Sequence, residues 1–309
     1  MRIIFMGTPE FAVPSLQILH QSEAQQVVGV VTAPDRPAGR GRKLRASAIK
    51  EYAVSQAIPV LQPEKLRDPD FISALEALQP DLMVVVAFRM LPKVVWDMPS
   101  IGTFNLHASL LPDYRGAAPI NWAIINGESE TGLTTFLIDD KIDTGSILLQ
   151  EKTEIPADWT AGDLHDKLME MGAGLVLKTV EGLDAKQLAA QPQDDSLYRN
   201  PAPKIHKEDC RINWEASTVE VYNHIRGLSP YPAAWTTLEG LNCKILQLSI
   251  VEDERSAKPG SIKGVDEEQI LVACKDGWLQ IEQLQLAGKK RMASADFLRG
   301  YKGELSRFE

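Results

Sequence analysis

The sequence predicts a doubly wound α/β domain followed by a small β-barrel domain of OB type, and three observations carry this reading. Apolar, β-prone runs alternate with helical patterns from Arg2 to Glu181, which is the spacing of parallel βαβ units. Residues 191–207, QPQDDSLYRNPAPKIHK, hold three prolines and little apolar content, the texture of a linker. Beyond them about five short β-prone runs follow one another, as in a small barrel. A length of 309 residues also exceeds what one core usually supports. The expected organisation is a first domain over residues 1–190, a linker over 191–207 and a second domain over 208–309.

Arg2–Met6 is a short apolar strand that stops at Gly7-Thr8-Pro9, and a helix from Pro9 to His20 follows with proline near its first turn. The turn lacks G-x-G-x-x-G, so the dinucleotide fingerprint is absent. Val27–Thr32 is a second buried strand. Ala33–Lys50 sets Arg36, Arg40, Arg42, Lys43, Arg45 and Lys50 against one acid, Asp35, and its prolines and glycines predict a mobile basic loop. A solvated surface loop and a phosphate clamp both suit that composition, because arginine forks match phosphate geometry.

Helices over Ser47–Gln56 and Arg67–Leu78 flank a short strand at Ile58–Leu61. The continuous apolar run DLMVVVA then marks a strand covered on both faces, and Leu91–Asp97 is a short helical segment leading to a strand at Gly102. Ala118–Asn126 reads as helix and Thr131–Ile138 as a strand running into the acidic turn Asp139–Gly145. Ser146–Gln150 restarts a strand, and Thr160–Glu181 is a long helix. In the second domain a helix at Thr218–Arg226 precedes β-prone runs near Ala234–Leu238, Cys243–Val251, Gly260–Val265, Ile270–Lys275 and Trp278–Glu282.

At 44% hydrophobic and 24% charged, the composition is that of a soluble globular protein. No apolar run approaches bilayer length, and the apolar run of MRIIFMGTPEF is too short for a signal-peptide core. Cys210, Cys243 and Cys274 are widely spaced without a Cys-x-x-Cys pair, which argues against a disulfide framework or zinc site. A cytoplasmic, reduced protein without a metal or membrane partner is expected. The net charge of −9 excludes a generally basic nucleic-acid coat but not a local basic patch.

The stretch with most chemistry is Gly102–Gly116, GTFNLHASLLPDYRG. It begins as a β-prone run and ends in a turn. Asn105, His107 and Ser109 are spaced by two, so they share one face as far as the strand continues. They would project at the carboxyl end of a strand, where open α/β sheets bind ligands. An asparagine amide can donate to a developing oxyanion, a histidine can exchange a proton near neutrality, and a carboxylate of the Asp139–Asp143 turn could orient the ring. G-x-S-x-G is absent and no cysteine lies near His107 in sequence, which favours direct attack by a substrate nucleophile on a bound carbonyl. On these residues alone a buried His–Asn pair equally suits a structural polar network.

Asn105-Leu106-His107-Ala108-Ser109-Leu110-Leu111-Pro112, with Arg115-Gly116 and the later Asp143-Thr144-Gly145, resembles the 10-formyltetrahydrofolate-dependent formyltransferases. Gly7-Thr8-Pro9, the Pro34–Lys43 loop and Arg115-Gly116-Ala117-Ala118-Pro119 are similar to the branch that acts on methionyl-tRNA, and Ala287-Gly288-Lys289-Lys290 extends the likeness towards the C-terminus. The resemblance implies a Rossmann-like first domain, an OB-type second domain, and formyl transfer from 10-formyltetrahydrofolate to the amino group of initiator methionyl-tRNA. By motif, Asn105, His107 and Asp143 would be catalytic. Ser109, Leu110, Leu111 and Pro112 would line the folate site, with Phe88 and Asp139 beside it. Arg36, Arg40, Arg42 and Lys43 would meet the acceptor stem, and Lys289 and Lys290 the tRNA backbone. The expected particle is a monomer. Two departures stand out. Ala87-Phe88-Arg89-Met90-Leu91-Pro92 is one residue shorter than the family's loop and lacks its glycine, and Lys141 stands where glycine is common.

A formyltransferase for a small amine, a formyltetrahydrofolate hydrolase and a non-enzymatic RNA-binding module are the competing readings. The basic loop and second domain favour a large polyanionic acceptor, and the intact Asn105, His107 and Asp143 favour an enzyme.

Overall fold

Leu82–Val86, LMVVV, is buried at every position, and this strand sets the middle of the first sheet. The computed structural model describes residues 1–38, 43–252, 257–265 and 268–309. The chain divides into two compact units. The first comprises Met1–Gly116, Thr131–Thr153 and His165–Pro201; the second comprises Ala117–Glu130, Glu154–Leu164 and Ala202–Glu309.

The first unit holds β1 (Arg2–Gly7), α1 (Val13–Gln21), β2 (Gln26–Val31), β3 (Arg36–Ala38), β4 (Lys43–Arg45), α2 (Ala48–Ser55), β5 (Val60–Leu61), α3 (Pro69–Ala77), β6 (Leu82–Val86), α4 (Lys93–Trp96) and β7 (Gly102–His107). After the short β8 (Arg115–Gly116) come β9 (Glu130–Leu137), β10 (Ile147–Glu154) and, from His165 onwards, the long α6 (Ala161–Asp184). The main sheet runs β10-β9-β7-β6-β1-β2-β5. β1 pairs in parallel with β2 and β6, β6 with β7, and β2 with β5, whereas β9 lies antiparallel to β7. One face of the sheet is filled by Ile4, Met6, Val31, Met83 and Val85 against Phe71, Leu75 and Val95. Strand order therefore reverses at β1, which puts a ligand crevice beyond the carboxyl ends of β1 and its neighbours.

Local sequence explains the boundaries. The segment predicted as one helix from Pro9 begins instead with a 3₁₀ turn at Glu10–Ala12, and α1 starts at Val13. Pro14 is the reason: its ring and missing N–H are tolerated only in the first turn. Ser47 caps α2 by accepting from Lys50 N, and Asp68 caps α3 by accepting from Asp70 N, with Pro69 opening the helix. The segment expected to be a loop without regular structure contains an antiparallel ribbon pairing Arg36 with Arg45, Pro37 with Leu44 and Ala38 with Lys43. A two-stranded ribbon leaves one side of each strand unpaired, so Pro37 fits it without an N–H. Arg40 and Arg42 lie outside the described residues. β10 continues to Glu154, four residues past the expected end at Gln150.

In the second unit α5 (Pro119–Ile125) packs beside α7 (Thr218–Leu228), which starts in a capping box between Ser217 and Glu220. β11 (Pro201–Ala202) precedes this unit's sheet. The sheet is antiparallel, ordered β12-β13-β16-β15-β14 for β12 (Ala234–Leu238), β13 (Leu241–Val251), β14 (Ile262–Val265), β15 (Gln269–Ala273) and β16 (Trp278–Leu286). β16 runs four residues past the expected Glu282, followed by β17 (Met292–Ala293) and α8 (Ser294–Gly300). The two edge strands do not stay bare. Thr237 and Glu309 exchange backbone hydrogen bonds at 3.1 and 3.0 Å beside β12, while Ile262 N donates to Ser306 O and Phe308 N to Gly260 O beside β14. Phe308 sits between these bonds, buried and stacked on Trp214 with ring centroids 5.7 Å apart. Cys210, Cys243 and Cys274 are free and buried in this unit, and burial pushes the Cys243 and Cys274 thiols up to about 12. Among the described residues no helix is long and apolar enough to cross a membrane.

Phe308→Ala should lower the stability of the second unit by about 3–5 kcal/mol, the usual cost of emptying a buried aromatic site. Denaturant melts followed by tryptophan fluorescence would read it, because Trp214 reports on the same contact.

Candidate active site

β7 presents its polar residues as alternation requires. Asn105 is half-buried and pairs in register with Val85 and Phe136, and His107, two residues on, is only 6% exposed. Among the described residues the Asn105 side chain makes no hydrogen bond. The His107 ring is held more tightly. Its Nε2 lies 2.9 Å from Tyr114 O, and since a carbonyl only accepts, this nitrogen carries a proton. Nδ1 lies 3.8 Å from Asp143 Oδ2, an ion-pair separation too long for a hydrogen bond. The edge of the ring meets Phe136 at 6.5 Å between centroids.

The strand ends at His107, so Ser109 does not extend the polar face but belongs to the turn. Its buried hydroxyl donates to Asp113 O at 2.7 Å. Thr134 Oγ1 fixes the same turn: it donates to Ser109 O and accepts from Leu111 N and Gln150 Nε2. Leu111–Pro112 is cis; both residues are buried, and Leu110 is half-buried. Tyr114 turns through a φ of +58°, which carries its carbonyl back to His107.

Two carboxylates of the acidic turn, Asp139 and Asp143, have different tasks. Asp139 is exposed and ties the turn to itself, accepting from Lys141 N and Thr144 Oγ1. Asp143, at a φ of +54°, is 14% exposed at its side chain and accepts from Gly116 N at 2.9 Å. The turn closes at Gly145, where a Cβ would lie 1.6 Å from Leu137 O, so the D-T-G glycine is imposed by backbone contact.

Beyond the carboxyl ends of β1, β2 and β6 opens a cleft of about 550 Å³ lined by Thr8-Pro9, Ala33-Pro34 and Ala87-Phe88-Arg89, with Arg36 and Arg45 from the ribbon. These two arginines face each other across the ribbon. Asp35, next to Arg36 in sequence, is taken up by Gln62 and by Lys50 at 2.7 Å, which hold its carboxyl below the usual range. Arg89 donates to Glu64 O and Pro63 O and lies 5.6 Å over the Phe88 ring. Burial, then the charge of Arg36, pushes Arg89 below the ordinary arginine value.

Of the residues the sequence pointed to, His107 and Asp143 meet, Asn105 shares the strand end, and Phe88 and Arg36 line the cleft. Ser109, Leu111 and Pro112 are buried in the turn and Asp139 braces its own loop. Lys43 lies in β4, and Lys289 and Lys290 are exposed between β16 and β17 of the second unit. Sequence reasoning gave no role to Arg89, which lines the cleft from a loop where no periodicity marks it.

The half-buried Asn105 amide and the carboxylate-facing His107 thus stand together at the carboxyl edge of a Rossmann-like sheet. Comparison with known proteins gives the class. The family described as "Formyl transferase" matches residues 1–180, and "Formyl transferase, C-terminal domain" matches 204–302. Methionyl-tRNA formyltransferase of Flavobacterium johnsoniae is 51% identical over 97% of this chain and 96% of that protein, and the one of Parabacteroides distasonis is 52% identical over 98% and 96%. Among solved structures, HypX from Aquifex aeolicus in complex with tetrahydrofolic acid has a TM-score of 0.68 at 20% identity, covering 100% of this chain and 51% of that one. Methionyl-tRNA formyltransferase from Clostridium thermocellum has a TM-score of 0.58 at 16% identity, covering 81% and 94%. These two structures share the fold. The chain belongs to the formyl transferase family, in its methionyl-tRNA formyltransferase branch.

Gly145→Ala should disable the site and lower the melting temperature together, because relief of the 1.6 Å contact must move Leu137 or the Asp143 turn. Thermal melts beside a formyl-transfer assay check this; a variant with wild-type behaviour in both would show that the turn can relax freely.

Proposed function

We propose that this chain transfers the formyl group of 10-formyltetrahydrofolate to the α-amino group of methionine on initiator tRNA, with Asn105, His107 and Asp143 at the reacting atoms. The observation that carries the assignment is His107, fixed at Nε2 by Tyr114 O with Nδ1 left facing Asp143. The methionyl amine attacks the formyl carbon, a C–N bond forms, and negative charge develops on the formyl oxygen. The free Asn105 amide donates to that oxygen. His107 adds an Nδ1–H donor to it in the form that carries a second proton. Oxyanion donors of this kind are worth about 10²–10³ in rate. Asp143, 3.8 Å from Nδ1, faces the ring and helps remove the amine proton. Collapse breaks the bond from the formyl carbon to N10 of the folate, N10 takes a proton, and tetrahydrofolate leaves.

The remaining roles follow position. Phe88 in the cleft wall, the Ser109–Pro112 turn and the Asp139 turn border the folate. With Ser109 and Leu111 so buried, the turn acts there through its backbone and Leu110. The acceptor end approaches Arg36 at the cleft, by motif Arg40, Arg42 and Lys43 meet it as well, and Lys289 and Lys290 meet backbone phosphates. We read the second unit as an OB-type barrel on account of its antiparallel strand order and the 306–309 segment bonded beside both edges. A cytoplasmic monomer suits this task. The fold also serves sugar N-formyltransferases: WlaRD has a TM-score of 0.64 at 23% identity. The choice of acceptor thus rests on the relatives at 51–52% identity and the basic ribbon.

Purified protein given 10-formyltetrahydrofolate should formylate methionyl initiator tRNA; release of free tetrahydrofolate at the same rate without tRNA would instead identify a hydrolase. His107→Ala and Asp143→Ala should each lower kcat by about 10²-fold or more with tRNA binding retained, and full activity in either would remove that residue from the mechanism. Arg40→Ala should weaken productive tRNA use and reduce the slope of log affinity against log salt by about one, measured by filter binding; an unchanged slope rules out a phosphate contact there.

A further inference from the structure

Residues 191–200, between α6 and β11, run back along the catalytic turns. Gln191 exchanges backbone hydrogen bonds with Ile147 at 2.7 and 2.8 Å. Further on, Asp113 accepts from Arg199 N and Asn200 N, and Tyr114 N donates to Asn200 O. Gln193 lies between these two fastenings. Its Nε2 donates to Asp143 O at 2.9 Å and Gly145 O at 2.8 Å, while its Oε1 accepts from Arg115 Nε at 3.1 Å and Nη2 at 2.6 Å. One carboxamide, used at both ends, thus ties the turn carrying Asp143 to the turn that follows His107. Arg115 is itself braced by Asp195 at 2.7 Å and by the Tyr198 ring, 5.4 Å from its guanidinium carbon.

The two carbonyls held by Gln193 flank Thr144, and Asp143 sits in the left-handed region at a φ of +54°. A residue kept in such a conformation depends on its surroundings to stay there. Gly116 N holds the carboxylate of Asp143 and Gln193 holds its main chain, so orientation is fixed at both ends of the residue. We propose that Gln193 is a positioning residue for formyl transfer, its carboxamide setting the Asp143 carboxylate against His107. This inference rests on the assignment of His107 and Asp143 to the chemistry. Gln193 touches neither reacting side chain and acts through the peptide groups of the turn. A displacement of about 1 Å at a reacting group can cost about 10²-fold.

Three variants test this by steady-state kinetics with both substrates. Gln193→Ala removes every contact. Gln193→Glu keeps the length, the volume and the acceptor for Arg115 but cannot donate to the two carbonyls, and it serves where the alanine variant fails to fold. Both should lower kcat by about 10- to 100-fold with either KM changed less than about twofold. Asp195→Ala, which loses only an exposed acid on Arg115, should keep kcat within about twofold of wild type. In single turnover, adding Gln193→Ala to Asp143→Ala should leave the residual rate unchanged, since the carboxylate being positioned is gone. The proposal is overturned by a Gln193→Glu kcat within twofold of wild type, by a rise in KM at constant kcat, or by an undiminished effect of Gln193→Ala in the Asp143→Ala background. Wild-type activity in Asp143→Ala is a distinct result: it removes the catalytic assignment itself.

Discussion

The separation of 3.8 Å between His107 Nδ1 and Asp143 Oδ2 is the distance around which the first unit is arranged. The imidazole cannot swing, because Nε2 is bonded to Tyr114 O and the ring edge rests on Phe136. The carboxylate cannot swing either, because Gly116 N holds one of its oxygens. Each restraint comes from a turn that would be unfavourable alone: Tyr114 and Asp143 are both left-handed, and Gly145 tolerates no side chain. β7, β9 and the saturated Thr134 hydroxyl hold these turns in register, so strain in the loops is supported by order in the sheet.

Charge is organised on the same local scale. The chain carries −9 overall, yet the cleft beyond β1, β2 and β6 is edged by Arg36, Arg45 and Arg89. Asp35 does not neutralise them, being engaged by Lys50 and Gln62. Arginines opposite each other on a ribbon repel, and the arrangement is complementary to a substrate that brings its own negative charge.

The parts of this molecule that could be read from sequence are those governed by local rules. Period two puts Asn105 and His107 on one face, the apolar run of β6 announces a doubly covered strand, and the helix expected over 47–56 lies at Ala48–Ser55. The unread parts depend on partners distant in sequence. The approach of Asp143 to His107 needs the antiparallel register that sets His107 opposite Thr134. The ribbon at Arg36–Arg45 was hidden by its proline and by like charges, both unfavourable to strands in isolation. Gln193 sits in a stretch whose composition describes a solvent-exposed connector, while its carboxamide binds groups 48, 50 and 78 residues away. Composition reports average polarity and is silent about which single amide finds its partners.

That last spacing has a consequence for the living sequence of events. A ribosome delivers the chain from its N-terminus, so a nascent polypeptide that has emerged as far as the end of α6 already holds Asn105, His107 and Asp143. It still lacks residue 193, and with it the clamp on the Asp143 turn. The first unit is completed only when Pro201 has emerged, well beyond the last residue of its central sheet. The bonds from Gln193 to the Asp143 turn thus form only when little more than residues 202–309 remains to be made.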